Sequence, residues 1–251
     1  GDVYKRQVLE FTKIRDRLAS KAMTDMGRER CEALVPSSNM TEIQRMQAET
    51  EEATVILQYV GASPLVPFSD VRASLTLAEK GATLSPKALL EVAALMQSAR
   101  AARKALDTER DNTPILKELA QRLSTLHNVE QDITNAIISE DEIADRASNE
   151  LMDIRRHLRG ANERIKEKLN QMIRSSAFQK YLQDPIVTMR NDRYCLPVKA
   201  EYRGSVPGLV HDQSSTGATL FIEPMAAVEM GNELKTWAAK EKQEIERILS
   251  A

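Results

Sequence analysis

From Ser139 to Asp184 the chain runs without a proline, and its apolar residues return every three or four positions: Ile143, Ala147, Leu151, Ile154, Leu158, Ala161, Ile165, Leu169 and Met172. That spacing keeps one stripe on one face of a helix. Ser139-x-x-Glu142 reads as a capping box at its start, with Glu140, Asp141 and Glu142 placing negative charge at the positive end of the helix. At 1.5 Å per residue, about 40 residues make a rod of roughly 60 Å, longer than a compact domain needs. The pattern predicts a projecting arm.

After Pro185 the period changes to that of strands. Ile186 to Arg190 and Arg193 to Lys199 flank Asn191-Asp192, a pair that tolerates positive φ and suits a two-residue hairpin. Pro197 places the second strand at an edge or a bulge. Val206 to Asp212 and Ala218 to Glu223 form a further pair joined by Gln213-Ser214-Ser215-Thr216-Gly217. Pro224 then begins a second long helix, with Met230, Leu234, Trp237, Ile245 and Ile248 at helical spacing, still running at Ala251. The β segment reverses the chain, so the two helices are predicted to pair antiparallel, with Ile154 and Leu158 in their seam.

Upstream, the sequence reads as short helices between breakers. Thr24 caps a helix that ends at Pro36-Ser37-Ser38-Asn39, and Thr41 to Val60 follows and stops at Gly61. Ser63-Pro64-Leu65-Val66-Pro67-Phe68 is a loop, since proline lacks the donor and restricts its predecessor. Asp70 restarts the helical spacing, Ser85-Pro86 is an N-cap with proline at the first helical position, and Thr113-Pro114 repeats it. The predicted fold is mainly α: a helical core bundle over 8–138, an outgoing lever helix over 139–184, a small β clamp over 185–223 and a returning lever helix over 224–251. Residues 1–7, polar and aperiodic, are read as a disordered or non-native tail.

Composition narrows the function classes. The chain has 42% hydrophobic and 29% charged residues, enough apolar content for a core, while its 4% of aromatics and abundance of straight-chain residues favour helix over strand. Lys plus Arg (35) nearly balance Asp plus Glu (37), so no overall field draws the chain to a polyanion and any nucleic-acid contact must be local. Cys31 and Cys195 stand far apart, which argues against a disulfide framework or a zinc site and for a reducing cytoplasm. No apolar run approaches the roughly 18 residues that a membrane span needs.

The run Glu201-Tyr202-Arg203-Gly204-Ser205-Val206-Pro207-Gly208-Leu209-Val210-His211-Asp212-Gln213-Ser214-Ser215-Thr216-Gly217-Ala218-Thr219-Leu220-Phe221-Ile222-Glu223-Pro224, preceded by Arg190-Asn191-Asp192-Arg193-Tyr194, resembles the signature of the MutS-II branch of MutS homologues. Leu9-Glu10-Phe11-x-Lys13-Ile14 and Leu34-Val35-Pro36 resemble that family's opening. The resemblance covers nearly everything after residue 7. It implies a helical core with lever helices carrying a β clamp that embraces nucleic acid. For the whole protein it implies a homodimer with a MutS-type ATPase, using ATP and Mg, and a C-terminal Smr domain with nuclease activity. Roles in binding branched DNA, restraining recombination and rescuing collided ribosomes follow from the same resemblance, so the partners it implies are double-stranded or branched DNA, or the ribosome and its RNA.

Within this chain no Gly-x-x-x-x-Gly-Lys-[Ser/Thr] loop occurs, so no cofactor is expected in it. Arg190, Arg193, Lys199 and Arg203, on the strands and turns of the β segment, are the candidate nucleic-acid contacts, with Asp192, Glu201, Asp212 and Glu223 balancing them. Between Ser139 and Asp184 nine basic residues meet nine acidic ones, so Arg155, Arg156, Arg159, Arg164, Lys166 and Lys168 read as a solvated face and not as a phosphate track. Phe221-Ile222-Glu223 mimics the Phe-x-Glu of mismatch-reading MutS proteins, but a strand with one buried aromatic accounts for it. His211, Asp212, Ser214 and Ser215 hold the letters of a hydrolase triad, yet contiguous residues rarely converge, and turn chemistry explains them better. His127, His157 and His211 lack ligand spacing and read as surface or packing residues. The leading reading is a nucleic-acid-binding clamp and dimer scaffold. The alternative is a structural coiled-coil arm that passes motion to a protein partner without touching nucleic acid.

Overall fold

A computed structural model describes residues 10–61, 63, 65–107 and 112–251. The tail expected over 1–7, the first helical residue Val8, Leu9 of the opening pattern and Pro64 of the loop lie outside these residues. The chain is mainly helical with small antiparallel sheets, and it divides between Ala144 and Asp145 into two compact units.

The first unit holds helices α1 (Phe11–Ala19), α2 (Asp25–Glu32), α3 (Met40–Val60), α4 (Arg72–Glu79), α5 (Pro86–Leu106), α6 (Pro114–Gln121) and α7 (His127–Ala136). Their ends follow from local chemistry. The Thr24 hydroxyl accepts from the Gly27 N–H, Asn39 from Thr41 and Glu42, and Ser85 from Ala88, while Gly61 closes α3 in the left-handed region. Thr113 departs from expectation, because its side chain makes no cap. Glu52 of α3 takes that place, its buried carboxylate accepting from Ile115 at 3.2 Å and Leu116 at 2.8 Å. A charge at a helix N-terminus satisfies two orphan donors where a hydroxyl satisfies one. Arg100 of α5 meets the buried Glu130 of α7 through two hydrogen bonds of 3.0 and 2.8 Å.

Ser139 does not cap a helix. Ile137–Ser139 (β1) and Glu142–Ile143 (β2) form a two-stranded hairpin in which Ile137 lies opposite Ile143, both buried. Burying two isoleucines outweighs a solvent-exposed cap worth about 1 kcal/mol. The long helix α8 begins ten residues later than expected, at Asn149, where the Ser148 hydroxyl accepts from the Leu151 N–H. It ends at Arg174, so its 26 residues span about 39 Å and not 60 Å. A short turn of helix, α9 (Ser176–Gln179), follows.

The second unit pairs α8 with α10 (Met225–Ser250). Ser148 donates to Glu244 at 2.6 Å, Arg155 to Glu241 at 2.7 Å and Arg164 to Glu233 at 2.9 Å, and His157 stacks on Trp237 with centroids 4.4 Å apart. Residue numbers rise along one helix as they fall along the other, so the pair is antiparallel. Ile154 is buried in it and Leu158 half-buried.

Between the helices, β3 (Thr188–Arg190), β4 (Arg193–Lys199), β5 (Gly208–Gln213) and β6 (Thr219–Pro224) form an antiparallel sheet in the order β3-β4-β6-β5, with a 3-10 turn at Ala200–Ser205. Asn191 and Asp192, at φ 49° and 60°, make the two-residue turn that the sequence predicts. Pro197 lies in an interior strand and not at an edge. Its carbonyl accepts from the Gln183 N–H, so its donorless nitrogen faces that irregular segment and the ladder to β6 is intact. Tyr194, Leu196, Val198 and Ile222 pack on Ile165, Leu169 and Ile173 of α8 and Ala227 of α10.

Two outcomes test this packing. Leu169, fully buried, replaced by Ala should lose about 2–5 kcal/mol in denaturant unfolding, while exposed Met152→Ala should stay within about 0.5 kcal/mol. Hydrogen bonds from Arg247, then from Ser148, hold the Glu244 carboxyl down from 4.5 to about 2. Its folded value is depressed, so its contribution is present above pH 4.5 and is lost as pH falls from 4.5 toward 2. Glu244→Gln should flatten the fall of melting temperature with acid across that window.

Candidate nucleic-acid interface

In a strand alternate residues share a face, and the core takes Tyr194, Leu196, Val198 and Ile222. The opposite face therefore carries Arg190, Arg193, Cys195, Pro197, Lys199, Phe221 and Glu223. This face is not bare. The ladder between β5 and β6 slips between Val210 and Asp212, leaving His211 as a bulge, and bulges re-aim side chains. His211 Nε2 lies 2.7 Å from Glu223 Oε2, Asp212 pairs with Arg190 at 3.2 Å, and the His211 carbonyl accepts from the Asn191 side chain at 2.9 Å. The β3–β4 hairpin thus reaches across the sheet to β5 and closes a second, polar interior.

Glu223 sits at its centre, 0% exposed. Arg193, 16% exposed, donates to Glu223 Oε1 at 2.9 Å and to Asn232 of α10 at 2.6 Å. A Cβ on Gly231 would come within 2.5 Å of Glu223 Oε1 and 2.6 Å of Arg193 Nη1, so this glycine lets the ion pair press against the helix. A Cβ on Gly208 would strike the Glu223 carbonyl at 2.2 Å. The buried Cys195 thiol beside them is pushed up to about 11 by desolvation, then by the charge of Glu223.

The four predicted contacts consequently separate into two pairs. Arg193 is committed to the interior. Arg190 lies 4.0 Å from the Phe221 ring centroid, bonded to Asp212 and to the Met189 carbonyl. Lys199 is half-buried, its ammonium 3.5 Å from the Lys180 carbonyl. Arg203 is exposed, donating to the carbonyls of Val206 at 3.4 Å and Gly208 at 3.2 Å. Six residues of strand, about 20 Å, separate Arg193 from Lys199. Lys199 and Arg203 make no ion pair among the described residues.

Other letters of the segment resolve in the same way. Glu223 is locked and offers no probe to a base, and Ser214 accepts from the Thr219 N–H within its own turn. From the sequence, His211 reads as a surface or packing residue and Glu223 as a countercharge and as the last letter of the Phe-x-Glu mimic, and neither reading places the two together. The available signal is a charged residue, Glu223, at the end of the apolar run Leu220-Phe221-Ile222 and still within the strand, where burial demands a partner. Among the described residues no group of His, Cys, Asp and Glu is arranged to hold a metal, and no helix is long and apolar enough to cross a membrane.

The class of protein to which a helical unit followed by an antiparallel helix pair and a four-stranded sheet belongs comes from comparison with known proteins. The chain is 46% identical over 248 residues to the Endonuclease MutS2 of Acetivibrio thermocellus, 47% identical over 245 residues to that of Alkaliphilus oremlandii, and 46% over 244 residues to that of Symbiobacterium thermophilum. Each match covers 97% of this chain, but only 31%, 31% and 30% of the relative. No family model matches. The chain belongs to the MutS2 family and spans about a third of the length of the relatives it matches.

The polar interior makes two predictions for denaturation. Glu223→Ala strands a mostly buried guanidinium and should cost about 3–5 kcal/mol. Gly231→Ala should also destabilise, although helix propensity alone favours alanine by about 1 kcal/mol; unchanged stability of that variant would refute the close packing.

Proposed function

We propose that this chain is the nucleic-acid-holding segment of a MutS2 protein: a helical core, two lever helices and a β clamp, working as part of a homodimer in the cytoplasm. In this reading the ATPase, with its ATP and Mg, and the nuclease activity that the relatives' name carries reside in the remaining two thirds of the protein. The ligand is double-stranded or branched DNA, or the RNA of a ribosome, and the whole protein would act in restraining recombination or in rescuing collided ribosomes. One observation carries the reading: a small sheet held between two paired helices, with Lys199 and Arg203 outside any ion pair among the described residues. Arg190 and Arg193 then serve by closing the sheet and not by touching phosphate.

The alternative, a mechanical arm that transmits motion to a protein partner, draws on the polar ties between α8 and α10, which hold the two helices in one register. Fluorescence anisotropy with a labelled four-way DNA junction and with ribosomes, each at two salt concentrations, separates the two. Phosphate contacts give association that weakens steeply with salt. No association with either ligand at low salt leaves the mechanical arm.

A further inference from the structure

Two stretches of the helix pair are each held stiffly. In the sheet-bearing stretch, consecutive residues of β4 point to opposite sides of the strand and bond one to each helix. Tyr194 donates to Asn162 of α8 at 2.8 Å, and Arg193 donates to Asn232 of α10 at 2.6 Å. The core of the sheet packs there on Ile165, Leu169, Ile173 and Ala227. In the other stretch, Ser148 with Glu244, Arg155 with Glu241 and the stack of His157 on Trp237 fix the two helices to each other.

Between these stretches each helix carries a residue that weakens it. Gly160 is the one glycine of α8. Its φ lies outside the left-handed region, and a Cβ there would meet only the Arg164 guanidinium, at 3.5 Å, an ordinary contact, so neither a turn nor a close approach calls for glycine. Gly231 of α10 is the contrast, since a Cβ there would enter the Glu223–Arg193 pair. A glycine without such a use only loosens a helix, because its backbone has more conformations to return to. His157 stands opposite Trp237 and Arg164 opposite Glu233, so the level of Gly160 falls at Lys235 and Thr236 on α10. The Thr236 hydroxyl donates to the Asn232 carbonyl at 3.0 Å, the carbonyl that takes the Thr236 N–H in a regular helix, and such back-bonding weakens and bends helices. Apart from Ser250 at the end of α10, Thr236 is the one hydroxyl residue of either helix. The buried stripe of α8 is also thinnest here, where Ala161 stands between Ile154 and Ile165.

We infer that Gly160 and Thr236 form a joint across the helix pair, at which the stretch 149–158 with 237–250 and the sheet-bearing stretch 162–232 swing as two stiff bodies. A weak point in one helix alone would be splinted by its partner, whereas two at one level let the pair bend together. The sheet can then change its angle while the ties on one side and the Glu223 interior on the other stay closed. The joint is independent of what the sheet meets.

Residual dipolar couplings of the backbone amides of this chain, fitted separately for the two stretches, test it. Two bodies joined flexibly align to different degrees, and one stiff rod has a single alignment. The parent chain should show different alignment magnitudes, and Gly160→Ala with Thr236→Ala should bring them together. Lys242→Ala, at an exposed position of α10 away from the joint, should leave the difference as it is. In the double variant, amide hydrogen exchange at residues 161–164, whose N–H groups bond the carbonyls of 157–160, should slow about fivefold, the ratio that corresponds to the helix-propensity difference between glycine and alanine. Both substitutions favour helix, so the double variant stays folded. One common alignment in the parent overturns the joint. A difference that persists in the double variant overturns it as well, even where exchange slows, since slower exchange alone follows from any glycine-to-alanine change inside a helix.

Discussion

Removing a carboxylate from water is affordable only where opposite charge and hydrogen bonds replace the solvent, and Glu223 shows how much structure that requirement commands. One oxygen takes the Arg193 guanidinium and the other the His211 ring. Arg193 continues to Asn232, so the sheet is bonded to the helix that follows it. His211 reaches the carboxylate from a bulge, and the bulge turns its carbonyl to Asn191 and Asp212 to Arg190. Gly208 and Gly231 keep two backbones close enough for this to close. Residues from 190 to 232 thus depend on one another through one buried charge.

The two long helices use a different device. Their shared stripe is apolar and tolerant of sliding, whereas hydrogen bonds between defined pairs are not. Ser148 with Glu244, Arg155 with Glu241 and Arg164 with Glu233 accept one register, and the flat stack of His157 on Trp237 adds a fourth constraint between the second and third pairs. Apolar burial supplies the stability of the pair and the polar ties supply its alignment, a division of labour seen wherever a buried polar residue fixes helix register.

Much of this was legible from residues alone. The antiparallel helices, the Asn191-Asp192 hairpin, the strand Arg193–Lys199 and the helix after Pro224 all follow from period and turn chemistry, which are local. The failures came where distant groups decide. Ser139-x-x-Glu142 has the letters of a cap, but Ile137 and Ile143 gain more by facing each other in a hairpin. Thr113 lost its role to Glu52, more than sixty residues away in sequence. For the candidate site, the basic residues of the sheet are visible as a set, but their separation into Arg190 and Arg193, each paired with a carboxylate, and Lys199 and Arg203, bonded only to carbonyls among the described residues, is not, because it turns on which groups the fold brings to each.

The carbonyl bonds of Arg203 carry a consequence for the sheet's border. β5 is an outermost strand, and Leu209 and Val210 on it are 45% and 43% exposed. The Pro207 carbonyl accepts from Met225 on the inner side, so the next carbonyl, that of Gly208, faces outward, where a foreign strand would dock. Arg203 covers that acceptor, and the bulge at His211 bends the strand a few residues on. A single guanidinium and an inserted residue together leave too short a straight edge for another chain to continue the sheet.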